Sequence, residues 1–283
     1  MKLVKKIFIN LLVIVVALSA CIGLTACKED IRTAEFTVQV YDYNAASAKT
    51  VTLTADLYGH LAPETVDAIT AYLEEGYYTD TVFYQLKDHS NQIMIGDYKF
   101  ADGLLTQNEI KPEIKGEFKN GGVVGSNLIN ERGYIGLWRN AYVSDGGYMT
   151  SSSARDSGRA TMYLPTEAIS NYNDWLCVFA KIDLTAEDNA AALSLIEAAY
   201  GTNATYEEYV VYYTGEYDAE KKDENFGLTY NCKLKEDFDA DEIEGLFKAE
   251  GEQYECYNYY TIKLAVYGET KAPAVKITSV KVK

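Results

Sequence analysis

Residues 61–83 read LAPETVDAITAYLEEGYYTDTVF, and this stretch sets the frame for the rest of the chain. Pro63 suits the first turn of a helix, where its missing N–H costs nothing. Val66, Ile69 and Leu73 recur at the helical period and make one apolar stripe. Gly76 is placed to end the helix, and Thr81–Leu86 then reads as a strand. Upstream, Ala34–Tyr43 (AEFTVQVYDY) and Val51–Leu57 (VTLTADL) alternate apolar and polar residues, the mark of half-buried strands.

Working outward, Gln92–Ile95 predicts a further strand, and Asp102-Gly103 and Asn120-Gly121-Gly122 predict turns. Ala141–Arg159, rich in Ser and Gly, reads as a long surface loop. Trp175–Ile182 (WLCVFAKI) is a continuous apolar run and therefore a buried strand. Ala186–Tyr200 reads as a helix with Ala191, Leu195, Ala198 and Ala199 inward. Beyond it come strand-like Tyr209–Tyr213, an acidic stretch Asp218–Glu224 and a short helix over Asp241–Ala249. Two strands, Tyr259–Tyr267 and Ala274–Val282, close the chain around Pro273. A strand-rich order with two good helices points to a mainly β barrel capped by helices rather than to alternating βαβ units.

The start of the chain carries an address. Lys2, Lys5 and Lys6 precede an apolar run, Ile7–Leu18, that is short for a membrane span and has the flanks of an export signal. Small residues and a cysteine close it twice, at Ser19-Ala20-Cys21 and at Thr25-Ala26-Cys27. Both resemble the lipobox of bacterial lipoproteins, in which the cysteine takes lipid and becomes the mature N-terminus. Cys27 is preferred, because Lys28-Glu29-Asp30 turns polar at once, whereas cutting at Cys21 leaves apolar Ile22-Gly23-Leu24 outside. The expectation is a signal over residues 1–27, a linker over 28–35 and a globular domain over 36–283, held outside the cytoplasm by lipid at the bacterial membrane.

Composition narrows the chemistry. Of the 283 residues about 255 remain after the signal, and their charge is near −19 once its three lysines are removed from the overall −16. Such a surface repels phosphate backbones and speaks against nucleic-acid binding. With two histidines and well-separated cysteines, no metal-ligand spacing occurs and no cofactor is expected. Cys232 and Cys256 could pair in an oxidising compartment, a question that spacing leaves open. Neither histidine lies near a Gly-rich nucleophile turn, which removes the hydrolase readings. The 25 tyrosines, alternating with polar residues toward the C-terminus, suit half-buried strands.

Seven segments in order resemble the cyclophilin family of peptidyl-prolyl cis-trans isomerases. The first is Leu61-Ala62-Pro63-Glu64-Thr65-Val66 with Gly76-Tyr77-Tyr78-Thr79-Asp80-Thr81-Val82-Phe83. Gly96-Asp97, Ile114-Lys115-Gly116-Glu117-Phe118 and Arg132-Gly133-Tyr134-Ile135-Gly136-Leu137-Trp138-Arg139 follow. Then come Asp156–Leu164, Val178-Phe179-Ala180-Lys181-Ile182 and the closing Val275–Val280. The resemblance covers residues 36–200 and 261–283, and leaves the Tyr-rich residues 201–260 as an insertion before the last strands. It implies an eight-stranded antiparallel barrel with a helix at each end and a peptide groove on its outer face.

The implied chemistry lowers a rotation barrier of ~18–20 kcal/mol about a prolyl peptide bond. In the family an arginine in a Phe-His-Arg triplet bonds the substrate near the prolyl nitrogen, and an apolar pocket holds the ring. Here the triplet is Phe83-Tyr84-Gln85, so Gln85 takes the catalytic arginine position as a neutral donor. Charged hydrogen bonds are about twice as strong as neutral ones, so the resemblance implies weak isomerase activity. Its substrate-binding positions fall at Met94, Trp138, Arg139, Thr161, Tyr163 and Leu176, where most polar family residues are replaced. Lys87, Arg139, Arg155 and Arg159 are the cations that could serve from elsewhere. The implied partners are proline-containing or unfolded exported polypeptides. Three roles compete: a weak extracytoplasmic isomerase, a catalytically inactive peptide-binding module, and an envelope scaffold using residues 201–260.

Overall fold

The computed structural model describes residues 29–87, 89–119, 128–139, 143–144, 147–148, 158–214, 229–239 and 259–283. The signal with Cys21 and Cys27, the turn at 120–122, Arg155, the acidic stretch 218–224, the helix expected over 241–249 and Cys256 lie outside these residues. So does most of the loop expected over 141–159.

Strands β1 (Ile31–Asp42) and β2 (Ser47–Tyr58) form a long hairpin, paired residue for residue from Ile31↔Tyr58 to Asp42↔Ser47. The first strand therefore starts inside the segment read as a linker over 28–35, because Arg32–Glu35 pair with β2 and Ala34 and Glu35 also pair with the last strand. Helix α1 (Pro63–Glu74) and β3 (Thr81–Leu86) follow, as the opening stretch predicts. Next come β4 (His89–Ala101), longer than Gln92–Ile95, then β5 (Leu104–Gln107) and β6 (Tyr134–Arg139). A small ladder joins β7 (Val143–Ser144) and β8 (Gly147–Tyr148). The chain continues through β9 (Gly158–Pro165), β10 (Cys177–Ile182) and α2 (Glu187–Ala198). It ends with β11 (Thr205–Thr214), β12 (Thr229–Leu234), β13 (Tyr259–Tyr267), β14 (Ala272–Pro273) and β15 (Val275–Val282).

Eight strands close a ring in the order β3-β15-β1-β2-β10-β6-β9-β4, with β4 pairing back to β3. Every ladder in it is antiparallel. Its interior is an apolar core in which Phe36, Val38, Leu53, Leu57, Phe83, Ile95, Met162 and Phe179 meet. The chain thus has the mainly β, eight-stranded antiparallel barrel with two helices that its sequence leads one to expect.

The α1 stripe packs on this core through Val66, Ile69 and Leu73. No side chain of its own caps the helix. Instead the buried Glu117 carboxylate accepts from the N–H groups of Glu64 (3.1 Å) and Thr65 (2.8 Å), orphan donors at the positive end of the helix. Gly76, at φ +79°, turns the chain out of the helix. In α2 the inward residues are Ala192, Leu193, Ile196 and Ala199, while Ala191 and Ala198 face solvent. The stripe expected through Ala191, Leu195 and Ala198 is therefore rotated. The reason is Asn189, buried and donating to the Asp183 carbonyl while accepting from Thr54 N–H, which orients the helix against β2.

Strands β11, β12 and β13 build a second layer on the first. The order β12-β11-β13 continues outward from β3, where Lys263 and Ile262 pair with Gln85 and Leu86. A second apolar cluster lies beneath it: Tyr209 and Val211 of β11 and Ile262, Leu264 and Val266 of β13 pack with Val82, Tyr84, Met94, Tyr98 and Tyr163 of the barrel. The N-terminal part of the Tyr-rich segment is thus joined to the barrel wall by a shared core.

Candidate functional site

Strand alternation decides which residues line the outer face of the barrel. On β4, Ile93 and Ile95 enter the barrel core, so Gln92 and Met94 point outward. On β9, Ala160, Met162 and Leu164 point inward and Thr161 and Tyr163 outward. On β6, Ile135 and Leu137 are inward and Gly136 and Trp138 outward. Four residues expected to bind substrate accordingly meet in the outer cluster: Met94, Tyr163 and Leu176 within it, with Trp138 packed against it. Met94 and Tyr163 are direct cross-strand partners.

These side chains fill the face with rings. Trp138 stands edge-on to Tyr163 (6.0 Å between centroids), Tyr172 (6.1 Å) and His89 (6.2 Å), and Tyr163 stands edge-on to Tyr172 (6.4 Å). These are favourable T-shaped spacings for aromatic pairs. Tyr163 is fully buried and its hydroxyl donates to Asn130 Oδ1. The face toward solvent is bounded by exposed His89 and half-buried Trp138, with Tyr172 Oη 3.5 Å from His89 Nδ1.

The other expected site residues lie apart from this group. Gln85 is 7% exposed, and its Nε2 donates to the Ser90 carbonyl at 3.0 Å. It is paired with Lys263, between Ile262 and Leu264, both of which enter the outer cluster, so Gln85 lies on the opposite face of the sheet. Ordinary alternation produces this outcome, because Phe83 enters the barrel core while Tyr84 and Leu86 face the outer cluster. Arg139 is buried, inward on β6, with its guanidinium 4.7 Å from the Phe118 ring centroid. Burial lowers its pKa. Of the other cations considered, Lys87 reaches Glu208 (3.8 Å) and Arg159 reaches Glu113 (3.7 Å).

Thr161 is outward but belongs to a neighbouring polar group. It donates to Asp97 Oδ1 (2.5 Å) while Tyr84 Oη donates to Asp97 Oδ2. Burial raises the Asp97 carboxyl above its ordinary value, opposed by those two hydroxyls and by the nearby Arg159 charge. Tyr98, also fully buried, shares a hydroxyl–hydroxyl contact of 2.5 Å with Tyr260. Asp97 thus stands where the barrel passes into the second layer.

Sequence reading missed Gln92. It is fully buried on the outer face, and neither its Nε2 nor its Oε1 has a hydrogen-bond partner among the described residues. An unpaired buried polar group costs on the order of 1–3 kcal/mol. The signal was present: a polar residue beginning the apolar run Gln92-Ile93-Met94-Ile95, on the same parity as Met94. No group of three or more His, Cys, Asp or Glu residues that could hold a metal ion occurs among the described residues.

The family model of cyclophilin type peptidyl-prolyl cis-trans isomerases matches residues 43–204, more than half of the 283 residues. No curated protein matches. Two solved structures of a cyclophilin type peptidyl-prolyl cis-trans isomerase from Cryptosporidium parvum are similar to the chain. One is 13% identical, with 58% of this chain and 83% of that chain covered at a TM-score of 0.38. The other, determined in the presence of the dipeptide Ala-Pro, is 16% identical, with 56% and 84% covered at a TM-score of 0.35.

Proposed function

This chain belongs to the cyclophilin-type peptidyl-prolyl cis-trans isomerase family, and from that premise we propose that it is a lipid-anchored, extracytoplasmic member that holds proline-containing or unfolded exported polypeptides and isomerises them weakly. The observation that carries the weak turnover is Gln85. The position that the resemblance gives to a catalytic arginine holds a neutral amide, already bonded to Ser90 and turned from the face that bears Met94 and Tyr163. Catalysis of bond rotation needs a preorganised charge that favours the twisted state over the planar one. The outer face keeps apolar and aromatic surface for binding, and among the described residues no arginine or lysine joins its cluster.

The anchor rests on Thr25-Ala26-Cys27 and on the polar turn that follows it. With β1 beginning at Ile31, the span from Cys27 is four residues, which reach at most ~3.3–3.6 Å each. The domain is held within a few nanometres of the lipid, where exported chains emerge unfolded and slow prolyl isomers accumulate.

An exchange-NMR assay of cis-trans conversion in a prolyl peptide, with binding followed in parallel, tests the reading. The native chain is expected to bind the peptide and to accelerate conversion only slightly. Fast turnover that vanishes in Lys87→Ala or Arg139→Ala would reveal a relocated cation and overturn the weak-enzyme reading. Binding without acceleration would remove the isomerase role and leave the binding module. Lipid labelling in cells that persists in Cys27→Ala would overturn the anchor at Cys27.

A further inference from the structure

Met94 and Tyr163 point outward from the barrel wall, yet neither has any exposed surface. The apolar cluster that buries them also contains Tyr209 and Val211 of β11 and Ile262 and Leu264 of β13. Both strands lie outside the part of the chain that the family model matches: it ends at residue 204, and β11 begins at Thr205. Polar contacts fix this second layer in place. Tyr98 of the barrel meets Tyr260 hydroxyl to hydroxyl at 2.5 Å, Lys263 pairs with Gln85, and the Lys87 N–H donates to the Thr261 carbonyl at 3.1 Å. An interior of this kind is close-packed, so a second polypeptide has no room beneath it, and lifting the strands would return their apolar side chains to water. Among the described residues, the solvent-side boundary of the face is half-buried Trp138 and exposed His89, with Tyr172 edge-on to Trp138.

We infer that β11 and β13 are a built-in occupant of the outer face: they fill it around Met94 and Tyr163 and leave a polypeptide only the rim at Trp138, Tyr172 and His89. The site therefore takes a short proline-bearing segment and excludes one that must lie extended across the barrel. The inference rests on the proposed peptide-binding reading of the same face and adds its specificity. Tyr209, Val211, Ile262 and Leu264 set that specificity by occupying space, without touching the ligand.

The test titrates the full-length chain in detergent micelles, by calorimetry, with two N-acetylated, C-amidated peptides: a tetrapeptide with one proline, and a dodecapeptide with the same four residues at its centre. The two affinities are expected to agree within about three-fold, because the added residues find no groove to lie in. A larger gain for the dodecapeptide overturns the inference and leaves the peptide site standing. This comparison uses the native chain and depends on no variant. Trp138→Ala is expected to weaken tetrapeptide binding roughly ten-fold or more, with the fluorescence of Trp175 reporting that the fold is kept. Equal affinity in a folded Trp138→Ala overturns the rim as the point of contact. With methyl-labelled methionine, a nuclear Overhauser contact between bound peptide and the Met94 methyl group would show the centre of the face to be open and would likewise overturn the inference. No binding of either peptide by the native chain sinks the peptide site and the inference together.

Discussion

The phenol ring of Tyr163 lies across Gly136 so closely that a β-carbon at position 136 would fall among the ring atoms. The two residues are cross-strand partners on β9 and β6, and the missing side chain of one makes room for the ring of the other. This pairing buries the tyrosine completely and places its hydroxyl on Asn130. The aromatic filling of the outer face is built on that accommodation.

Gly136→Ala is therefore expected to destabilise the chain by about 1–3 kcal/mol, the usual cost of overpacking a rigid core site. Thermal unfolding measures it. In a Tyr163→Ala background the same change should cost far less, giving a coupling energy of about 0.5–3 kcal/mol in a double-mutant cycle. Additive effects of the two substitutions would contradict the contact.

Glu117 lies 52 residues from Thr65 in the chain, yet it satisfies the first N–H groups of α1. Glu117→Ala should cost about 1–3 kcal/mol, because it strips a charged acceptor from two helix-terminal donors. Glu117→Gln, which retains one acceptor, should cost less. Hydrogen exchange at Glu64 and Thr65 should accelerate in both variants, and unchanged protection there would refute the capping role.

Asp97 makes stability depend on pH in an unusual direction for a carboxylate. Burial raises its folded pKa above the ordinary 3.8, so the folded state keeps the proton longer than the unfolded state does. Its contribution is therefore fully present below the ordinary carboxylate range and is lost as pH rises through the raised folded value. Asp97→Asn, which has no proton to lose, should gain stability relative to the native chain as pH rises across that window. Denaturant unfolding at a series of pH values checks this; parallel pH profiles for the two proteins would show that Asp97 does not govern the window.

Barrel and second layer should unfold together. Val211, Ile262 and Leu264 share their apolar cluster with Tyr84, Met94 and Tyr163, so neither half keeps its core without the other. Tryptophan fluorescence, which reports on the barrel side through Trp138 and Trp175, and far-ultraviolet dichroism should give coincident transitions. Separate transitions would mean that the outer strands form an independent unit.

Much of the barrel was legible because its signals are local. Pro63, Gly76 and the Val66-Ile69-Leu73 stripe define α1 within a few residues of themselves, and Thr81–Leu86 forms the expected strand. The continuous apolar run at Trp175–Ile182 likewise becomes β10 at the barrel wall. The C-terminal pair of strands also falls at the expected positions, around Pro273. For α2, propensity placed the helix but not its face. Its inward stripe was turned by Asn189, whose partner Thr54 is 135 residues away.

The site was far less legible. The resemblance brought Gln85 and Met94 to one groove, but facing in a strand alternates with every residue, and with Phe83 in the barrel core and Tyr84 in the outer cluster Gln85 falls on the other side. Gln92 drew no attention in the sequence, because an amide becomes conspicuous only once its neighbours leave it without a partner. By itself the sequence determined which segments are strands and helices, their order, and the neutral amide at position 85, since these follow from short-range periodicity, punctuation and residue identity. Tertiary structure alone decided that Tyr163 lies over Gly136, that β11 and β13 share a core with the barrel's outer wall, and which polar groups are left unpaired. Those outcomes depend on ladders and contacts between residues tens to hundreds of positions apart, which no local pattern encodes.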